Sequence, residues 1–218
     1  MIPKRIHYCW LSNEPYSRKI NECMDSWHRV LKGYEFVLWD MSKVQRIRSA
    51  WVEEAVSRKK WAFAADFVRL WALYSEGGIY LDSDVEMLKE FGNLLNGPLM
   101  LGAEGGTGNV EAAVMGAEPG NHLIKKALDS FGDVFTEETL PQRLSRVIGA
   151  DISLLDSAVF SPKDWRTGKM HITSQTYAIH HFAGSWLSRK EQWAHRSGRL
   201  FGTWAVPCTR WIFNKLGL

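Results

Sequence analysis

The feature that constrains this chain most is a pair of glycines, Gly77-Gly78, between two apolar segments. Before them, at 62–76, apolar side chains recur at spacings of three and four, which predicts an amphipathic helix. Glycine readily adopts the positive φ that ends a helix, so the pair predicts a helix stop. After them, residues 79–81 predict a short buried strand that leads into Asp82-Ser83-Asp84.

The two aspartates at the exit of this strand predict a metal site. If the chain stays extended there, the two-residue period of a strand places Tyr80, Asp82 and Asp84 on one face. Two carboxylates this close repel each other unless one is protonated or a cation lies between them. A hard divalent ion is the simplest explanation.

Strand and helix patterns alternate along the rest of the chain. A strand at 2–10, a helix at 17–31 and a strand at 34–39 are typical of a βαβ unit and a mostly parallel sheet. The further predictions are a helical segment at 41–60, a strand at 99–104, a loop at 105–109, helices at 121–135 and 140–148, and strands at 159–162 and 177–181. We therefore expect one α/β domain at 1–192 and a basic, aromatic tail at 193–218.

Composition excludes several classes of protein. With 218 residues and 45% hydrophobic content, the chain is predicted to be globular. A net charge of +3 gives no indication of nucleic-acid binding. The three cysteines, Cys9, Cys23 and Cys208, lack metal-ligand spacing and favour free thiols in a reducing cytoplasm. We expect no signal peptide, because no apolar stretch follows Lys4 and Arg5, and no membrane span, because no apolar run approaches roughly 20 residues.

Three segments, in chain order, resemble the DXD-containing glycosyltransferases of the capsular polysaccharide type, which carry a sugar-binding region. They are IPKRIHYCW at 2–10, AADFVRLWALYSEGGIYLDSDV at 64–85 and IHHFAGSW at 179–186. The central segment is also similar to that of the glucosylating clostridial toxins. One departure is Ala65, where many members carry serine.

The resemblance implies a GT-A fold, which is a Rossmann-like nucleotide-diphospho-sugar transferase fold with a mixed, mostly parallel sheet. It also implies a UDP- or GDP-linked sugar donor, a glycan or lipid-linked glycan acceptor, Mn²⁺ or Mg²⁺, and retention of the anomeric configuration. The expected role is surface polysaccharide biosynthesis (capsule or lipopolysaccharide). A metal held by carboxylates would offset the charge that develops on the departing nucleoside diphosphate.

The resemblance also assigns roles to individual residues. Asp66, Arg69 and Asp82 are the predicted catalytic residues, and Asp82 and Asp84 are predicted metal ligands, Asp84 the more direct one. The predicted donor-binding residues are Trp10, Asp66, Arg69, Tyr80, Asp82, Ser185 and Trp186. Trp10 is expected to stack on the nucleobase, a contact worth ~1–3 kcal/mol. From the pattern alone, Asp66 and Arg69 could instead be a surface ion pair, and Trp10 a core residue.

Two adjacent histidines end the last predicted strand. By resemblance, His180 completes the metal shell, with His181 as the alternative, because a regular strand points only one of them at the ion. His7 is expected to be structural. Glu104 and Asn109 are candidates on an acceptor-side loop, and the sequence identifies no nucleophile.

The tail mixes basic residues with tryptophan and phenylalanine, which suits a helix lying on the inner face of an anionic membrane. An amphipathic helix packed on its own domain is the alternative.

Two functions other than sugar transfer stay open at this point. A phosphatase of the haloacid dehalogenase type also has an apolar strand before Asp-x-Asp, although Glu86 stands where it wants Thr or Val. A non-catalytic module that binds nucleotide sugars is the second.

Overall fold

The computed structural model describes residues 1–12, 14–164 and 166–183. The strands in these ranges are β1 (Arg5–Cys9), β2 (Glu35–Trp39), β3 (Gly78–Leu81), β4 (Val85–Met87), β5 (Leu99–Ala103), β6 (Val110–Ala117) and β7 (Ala178–His180). The helices are α1 (Arg18–Val30), α2 (Met41–Val44), α3 (Ala50–Ser57), α4 (Trp61–Glu76), α5 (His122–Asp129), α6 (Leu140–Ile148) and α7 (Ser157–Phe160), with 3₁₀ turns at Gly92–Asn96 and Gly149–Asp151.

Five strands form the central sheet in the order β2-β1-β3-β6-β5. Strand β1 is parallel to β2 and β3, whereas β6 is antiparallel to β3 and β5. Within this sheet four strands run in one direction and β6 is reversed, so the predicted mixed, mostly parallel α/β sheet is confirmed. Open sheets of this kind bind ligands at the carboxyl ends of their parallel strands. Trp10 and Asp82 follow β1 and β3 at that edge.

The junction of α4 and β3 requires both glycines. Gly77 has φ 65° and ψ −174°, and Gly78 has φ 107°, conformations that other residues rarely adopt. A Cβ on Gly77 would lie 2.5 Å from Cδ of Pro119, and one on Gly78 would lie 2.6 Å from the carbonyl oxygen of Arg5. The helix stop predicted from the sequence is confirmed, and the second glycine lets β3 lie directly beside β1.

Two apolar clusters cover the two faces of the sheet. Tyr80 packs in the cluster that contains Leu70 of α4, whereas its neighbours Ile79 and Leu81 pack in the other cluster with Trp27 of α1. The alternation predicted for β3 is therefore confirmed. Helix α4 packs on one face of the sheet, against β1, β3 and β6, and so covers the strand that leads into the acidic segment.

A second, two-stranded sheet stands beside the acidic segment. Strands β4 and β7 pair antiparallel with Val85 opposite His180. The indole nitrogen Nε1 of Trp27 donates to the Val85 carbonyl at 2.7 Å, which fixes β4 on α1. Because Asp84 precedes Val85, this pairing brings Asp84 and His180 together although they are far apart in sequence.

The strand predicted at 159–162 is wrong. The carboxylate of Asp156 accepts the Ala158 N–H at 2.8 Å, caps α7 and makes residues 157–160 helical. An Asp cap of this kind satisfies an N–H group that would otherwise have no partner at the helix start.

Other boundaries differ from the predictions as well. The helical segment at 41–60 is two helices, α2 and α3, because Asp40 and Ser49 each cap a separate start. The helix at 121–135 ends at Asp129, and strands β4 and β6 were not predicted.

The predicted tail, 193–218, and its boundary at 192 lie outside the described residues. Within the described ranges, no helix combines the length and the apolar character that crossing a membrane requires. Cys9 and Cys23 are free and buried, as expected from their spacing, and Cys208 lies outside the described residues.

Candidate metal and donor site

The acidic segment after β3 is a turn rather than an extended strand. Strand β3 ends at Leu81, and the Val85 N–H donates to the Asp82 carbonyl at 3.0 Å. The expectation that the chain stays extended through Asp84 is therefore wrong. Tyr80 and Asp82 still meet, because the Tyr80 hydroxyl donates to Oδ1 of Asp82 at 3.0 Å. The turn directs the two carboxylates toward β7.

Asp82, Asp84 and His180 form a cluster with the chemistry of a metal site. One ligand atom from each lies within 4.8 Å of the other two, and His180 Nε2 is 3.7 Å from Asp84 Oδ1. Burial raises the pKa of Asp82, and the nearby charge of Asp84 raises it further against the opposing effect of Arg69. A divalent cation would relieve this repulsion, and carboxylate oxygens with one imidazole suit Mn²⁺ or Mg²⁺. The residues therefore fit the expected ion.

Backbone contacts fix Asp84 in this cluster. Its Oδ2 accepts the Ala183 N–H at 2.7 Å, and its carbonyl accepts the His181 N–H at 3.2 Å. The residue is 8% exposed, so its carboxylate is held by the protein and not by solvent.

His180 is held from behind by Glu111, a residue of β6. Nδ1 of His180 lies 3.2 Å from Oε2 of Glu111, which is 1% exposed. Burial alone would lower the pKa of His180, but the charges of Glu111 and Asp84 raise it to about 9. Burial opposes ionisation of Glu111, yet the contact with His180 keeps the pKa of Glu111 below its usual value. The pair is thus a buried, mutually stabilised contact next to the acidic cluster.

Arg69 joins the helix α4 to the acidic turn. Its guanidinium lies 3.0 Å from Asp66 and 3.2 Å from Asp82, and it donates to the Ala112 carbonyl at 2.6 Å. It also lies 4.5 Å from the centre of the Tyr80 ring. Arg69 is 6% exposed, so the alternative of a surface ion pair is wrong.

Asp66 is a partly buried carboxylate, with its side chain 14% exposed, and its pKa is raised. Burial raises the pKa of Asp66 most, Arg69 lowers it, and Asp82 raises it, with a net value of about 7. Perturbed carboxylates of this kind concentrate at functional sites. The structure thus brings together six of the predicted site residues: Asp66, Arg69, Tyr80, Asp82, Asp84 and His180.

Trp10 lies at the carboxyl end of β1, as predicted. It is half-buried, which differs from a fully packed core residue. Its Nε1 donates to the Glu14 carbonyl at 2.9 Å, and its ring lies edge-on to Tyr16 with the centres 4.7 Å apart. Its stacking on a nucleobase stays a prediction.

His7 and His181 have protein partners. His7 is buried, with Nδ1 3.1 Å from the Trp39 indole nitrogen and Nε2 2.9 Å from the Gly77 carbonyl, which agrees with the structural role expected for it. Nε2 of His181 lies 2.8 Å from Oε2 of Glu86. Of the two adjacent histidines, His180 is the one whose ring joins the acidic cluster.

Four predicted residues remain, of which two lie beyond the described residues and two lie in the loop between β5 and β6. Ser185 and Trp186 lie outside the described residues. Glu104 accepts the Thr107 hydroxyl at 2.6 Å, and its N–H donates to the Asn109 carbonyl at 2.7 Å, so Glu104 and Asn109 close the loop predicted at 105–109.

Sequence reasoning missed Glu111. It is a single acidic residue in the apolar run VEAAVMGA, and its partner His180 is 69 residues away. The signal that could have revealed it is the acid itself, because a carboxylate on a fully buried strand needs a buried partner.

The central sheet and the acidic turn at its edge define a fold of the GT-A glycosyltransferase type. Residues 17–101 match the family model described as "Glycosyltransferase sugar-binding region containing DXD motif". The resemblance found in the sequence is therefore confirmed over this range, because residues 17–101 match the model of the DXD glycosyltransferase sugar-binding region.

Several known proteins are similar to this chain in sequence or in fold. "Glucan organizing enzyme 1" of Cryptococcus neoformans var. grubii is 28% identical over 54% of this chain and 36% of its own length. The solved structure "PaToxG Glycosyltransferase" superposes with a TM-score of 0.54 at 20% identity, covering 69% of this chain and 70% of that one. Apo-form glycosyltransferase GlyE of Streptococcus pneumoniae TIGR4 gives 0.55 at 14% identity, covering 98% and 64%. Our chain spans about a third of the curated relative, and the solved structures show a shared fold.

Proposed function

We propose that this protein is a metal-dependent glycosyltransferase that moves a hexosyl group from a UDP- or GDP-linked sugar to a glycan or lipid-linked glycan, with retention of the anomeric configuration. The observation that carries the proposal is the convergence of Asp82, Asp84 and His180 within 4.8 Å beside the buried Arg69. A transferase is supported by the family model that matches residues 17–101 and by the fold shared with a solved glycosyltransferase. Neither of these two observations supports the phosphatase alternative.

The site residues divide the work of holding a donor. Asp82, Asp84 and His180 would hold Mn²⁺ or Mg²⁺, which when bound neutralises charge on the departing diphosphate. Arg69 holds the Asp82 carboxylate through a contact of 3.2 Å and keeps it oriented toward the cluster. Asp66, fixed by Arg69 at 3.0 Å, offers carboxylate oxygens to hydroxyl groups of the sugar. The side chains of Arg69 and Asp66 are 7% and 14% exposed, and this low exposure strengthens the contact between their charges.

The acceptor is proposed to enter from the side of the 105–109 loop. A cavity of about 310 Å³ lies there, lined by Gly105, Gly106, Ser161 and Asp164 among others. Burial raises the pKa of the neighbouring Glu104. The charge of Glu111 also raises this pKa and that of His180 lowers it, so the loop lies close enough to feel the charges beside the cluster. The lipid-linked acceptor, the role in surface polysaccharide biosynthesis, the cytoplasmic location and the membrane contact of the tail stay predictions.

Donor hydrolysis tests the proposal, because a transferase without acceptor slowly transfers its sugar to water. The purified protein is incubated with a panel of UDP- and GDP-sugars, with Mn²⁺ or with EDTA, and release of nucleoside diphosphate is measured. We expect one donor to be cleaved only with metal, and Asp84→Asn to reduce cleavage to background. The control Asp151→Asn changes an aspartate that is 46% exposed and pairs with Lys126, and it should retain the activity.

Two results would contradict the proposal. Cleavage that proceeds equally in EDTA would remove the metal from the reaction. Binding of a nucleotide sugar without cleavage or transfer of any donor in the panel would favour the non-catalytic module. Nuclear magnetic resonance of the freshly released sugar identifies its anomer, and an inverted product would refute retention.

A further inference from the structure

Glu111 is the one acidic residue of β6, and its carboxylate is surrounded by protein. It is 1% exposed, and Oε1 accepts the Ala113 N–H at 2.8 Å. Oε2 lies 3.2 Å from Nδ1 of His180, and the Ser161 hydroxyl is a third partner. A strand that is buried along its whole length gives this charge no access to solvent, so the protein must supply all of its partners.

The partners of Glu111 determine which nitrogen of His180 keeps its proton when the ring is neutral, as it must be to bind a metal. The Ser161 oxygen accepts the Gly105 N–H at 3.2 Å, so its own hydrogen is free to point at Glu111. An ionised carboxylate only accepts hydrogen bonds, so His180 donates to it through Nδ1–H. In the neutral ring the lone pair is then on Nε2, which is the nitrogen 3.7 Å from Asp84.

His181 has the opposite arrangement, which makes it an internal comparison. Its Nε2 contacts Glu86 at 2.8 Å, and Glu86 is also 3.6 Å from Lys19. The Glu86 side chain is 31% exposed, whereas that of Glu111 is 1% exposed. Two carboxylate–histidine pairs therefore stand side by side, and only the pair with Glu111 directs the other ring nitrogen into the acidic cluster.

We propose that Glu111 is a positioning residue for the metal centre: it fixes the ring and the tautomer of His180, so that Nε2 completes the shell formed by Asp82 and Asp84. This inference rests on the proposed function, because it presupposes the metal centre. Ser161 extends the arrangement, since it connects Glu111 to the Gly105 backbone. Outer carboxylates of this kind orient metal-binding histidines and increase their basicity.

The test measures Mn²⁺ binding in the absence of any donor. Glu111→Gln keeps the shape of the side chain but replaces one acceptor oxygen with an NH₂ group, which only donates. The one remaining oxygen cannot accept from the Ala113 N–H and from His180 Nδ1–H in the geometry seen for the carboxylate. We expect Mn²⁺ to bind about 10- to 100-fold more weakly, the usual effect of losing such a partner. Glu86→Gln, the matched change beside His181, should leave the Mn²⁺ affinity unchanged.

Pulsed electron paramagnetic resonance adds a readout that a purely structural role would not affect. In the wild-type protein, histidine labelled with ¹⁵N at Nε2 alone should show a coupling to Mn²⁺ that is absent in His180→Ala. The same experiment needs no Glu111 variant, so it remains decisive if Glu111→Gln fails to fold. A coupling typical of direct ligation through Nδ1 would overturn the inference.

The outcomes separate the two proposals. If Asp84→Asn binds Mn²⁺ like the wild type, the metal centre itself is refuted. If Asp84→Asn loses the ion but a folded Glu111→Gln keeps the full affinity and the nitrogen coupling, only the role of Glu111 is refuted. Weaker binding in Glu86→Gln and not in Glu111→Gln would assign the ligand to His181 and also overturn the inference.

Discussion

Replacing Asp66 with asparagine should stabilise the metal-free protein at neutral pH and remove its activity. The folded protein raises the pKa of Asp66 to about 7, from an ordinary value of 3.8, mainly through burial. The folded state therefore binds this proton more tightly than the unfolded state does. The stabilisation linked to that proton is complete below the unfolded pKa and is lost as the pH rises through 7.

The size of the effect follows from the shift. About three pKa units at 1.36 kcal/mol each correspond to about 4 kcal/mol between pH 4 and pH 8. The side chain of Asp66 is 14% exposed, so solvent screening reduces this little. Asparagine does not titrate, and its oxygen can still accept from Arg69. The stability of Asp66→Asn minus that of the wild type should therefore rise with pH by an amount of this order.

Urea denaturation in EDTA at pH 4, 5.5, 7 and 8 measures this difference. The control Asp129→Asn changes an aspartate that is 58% exposed and pairs with Lys125 on the surface, and it should alter the stability by less than about 0.5 kcal/mol at pH 7. Donor cleavage by Asp66→Asn should be lost although the folded protein is more stable. This is the result expected when a residue needed for activity lowers the stability of the folded state. A stability difference that stays flat or falls with increasing pH would refute the reasoning.

Three further predictions concern the frame and the donor site. Gly77→Ala should destabilise the protein by about 1–3 kcal/mol or more in urea titrations, because φ 65° with ψ −174° suits only glycine and Pro119 leaves no room for Cβ; an unchanged midpoint would contradict this. Trp27→Phe should cost about 1–3 kcal/mol by thermal unfolding, because the Val85 carbonyl loses its buried donor; a neutral effect would show that this bond does not hold β4. Trp10→Ala should weaken nucleoside diphosphate binding in calorimetry by ~1–3 kcal/mol; an unchanged affinity would exclude stacking.

The central motif could be predicted because local sequence and global fold agree there. The apolar spacing of α4, the glycine pair and the apolar residues of β3 each specify one structure, and the packing does not override them. The extended conformation assumed for residues 82–84 was wrong, because a turn and the pairing of β4 with β7 decide their geometry, but the two carboxylates do come together. That pairing joins residues almost a hundred positions apart, and no local pattern reports it.

Strand β6 and Glu111 were missed for a related reason. The run Val110–Ala117 is rich in alanine and buried on both faces, so it lacks the alternation that indicates a strand, and Val110 and Val114 are its only β-branched residues. The opposite error occurred at 159–162, where an apolar run suggested a strand but the Asp156 cap produces a helix. Short apolar runs are ambiguous until their partners are known.

The most direct measurement of the central claim is the position of manganese in crystals grown with Mn²⁺ and a nucleoside diphosphate. Anomalous scattering at the manganese edge locates the ion without reference to the protein. We predict a peak coordinated by Asp84 and by Nε2 of His180, with Asp82 bound directly or through water and the diphosphate oxygens on the open side. A peak elsewhere, with Asp84 and His180 still paired to each other, would contradict the account.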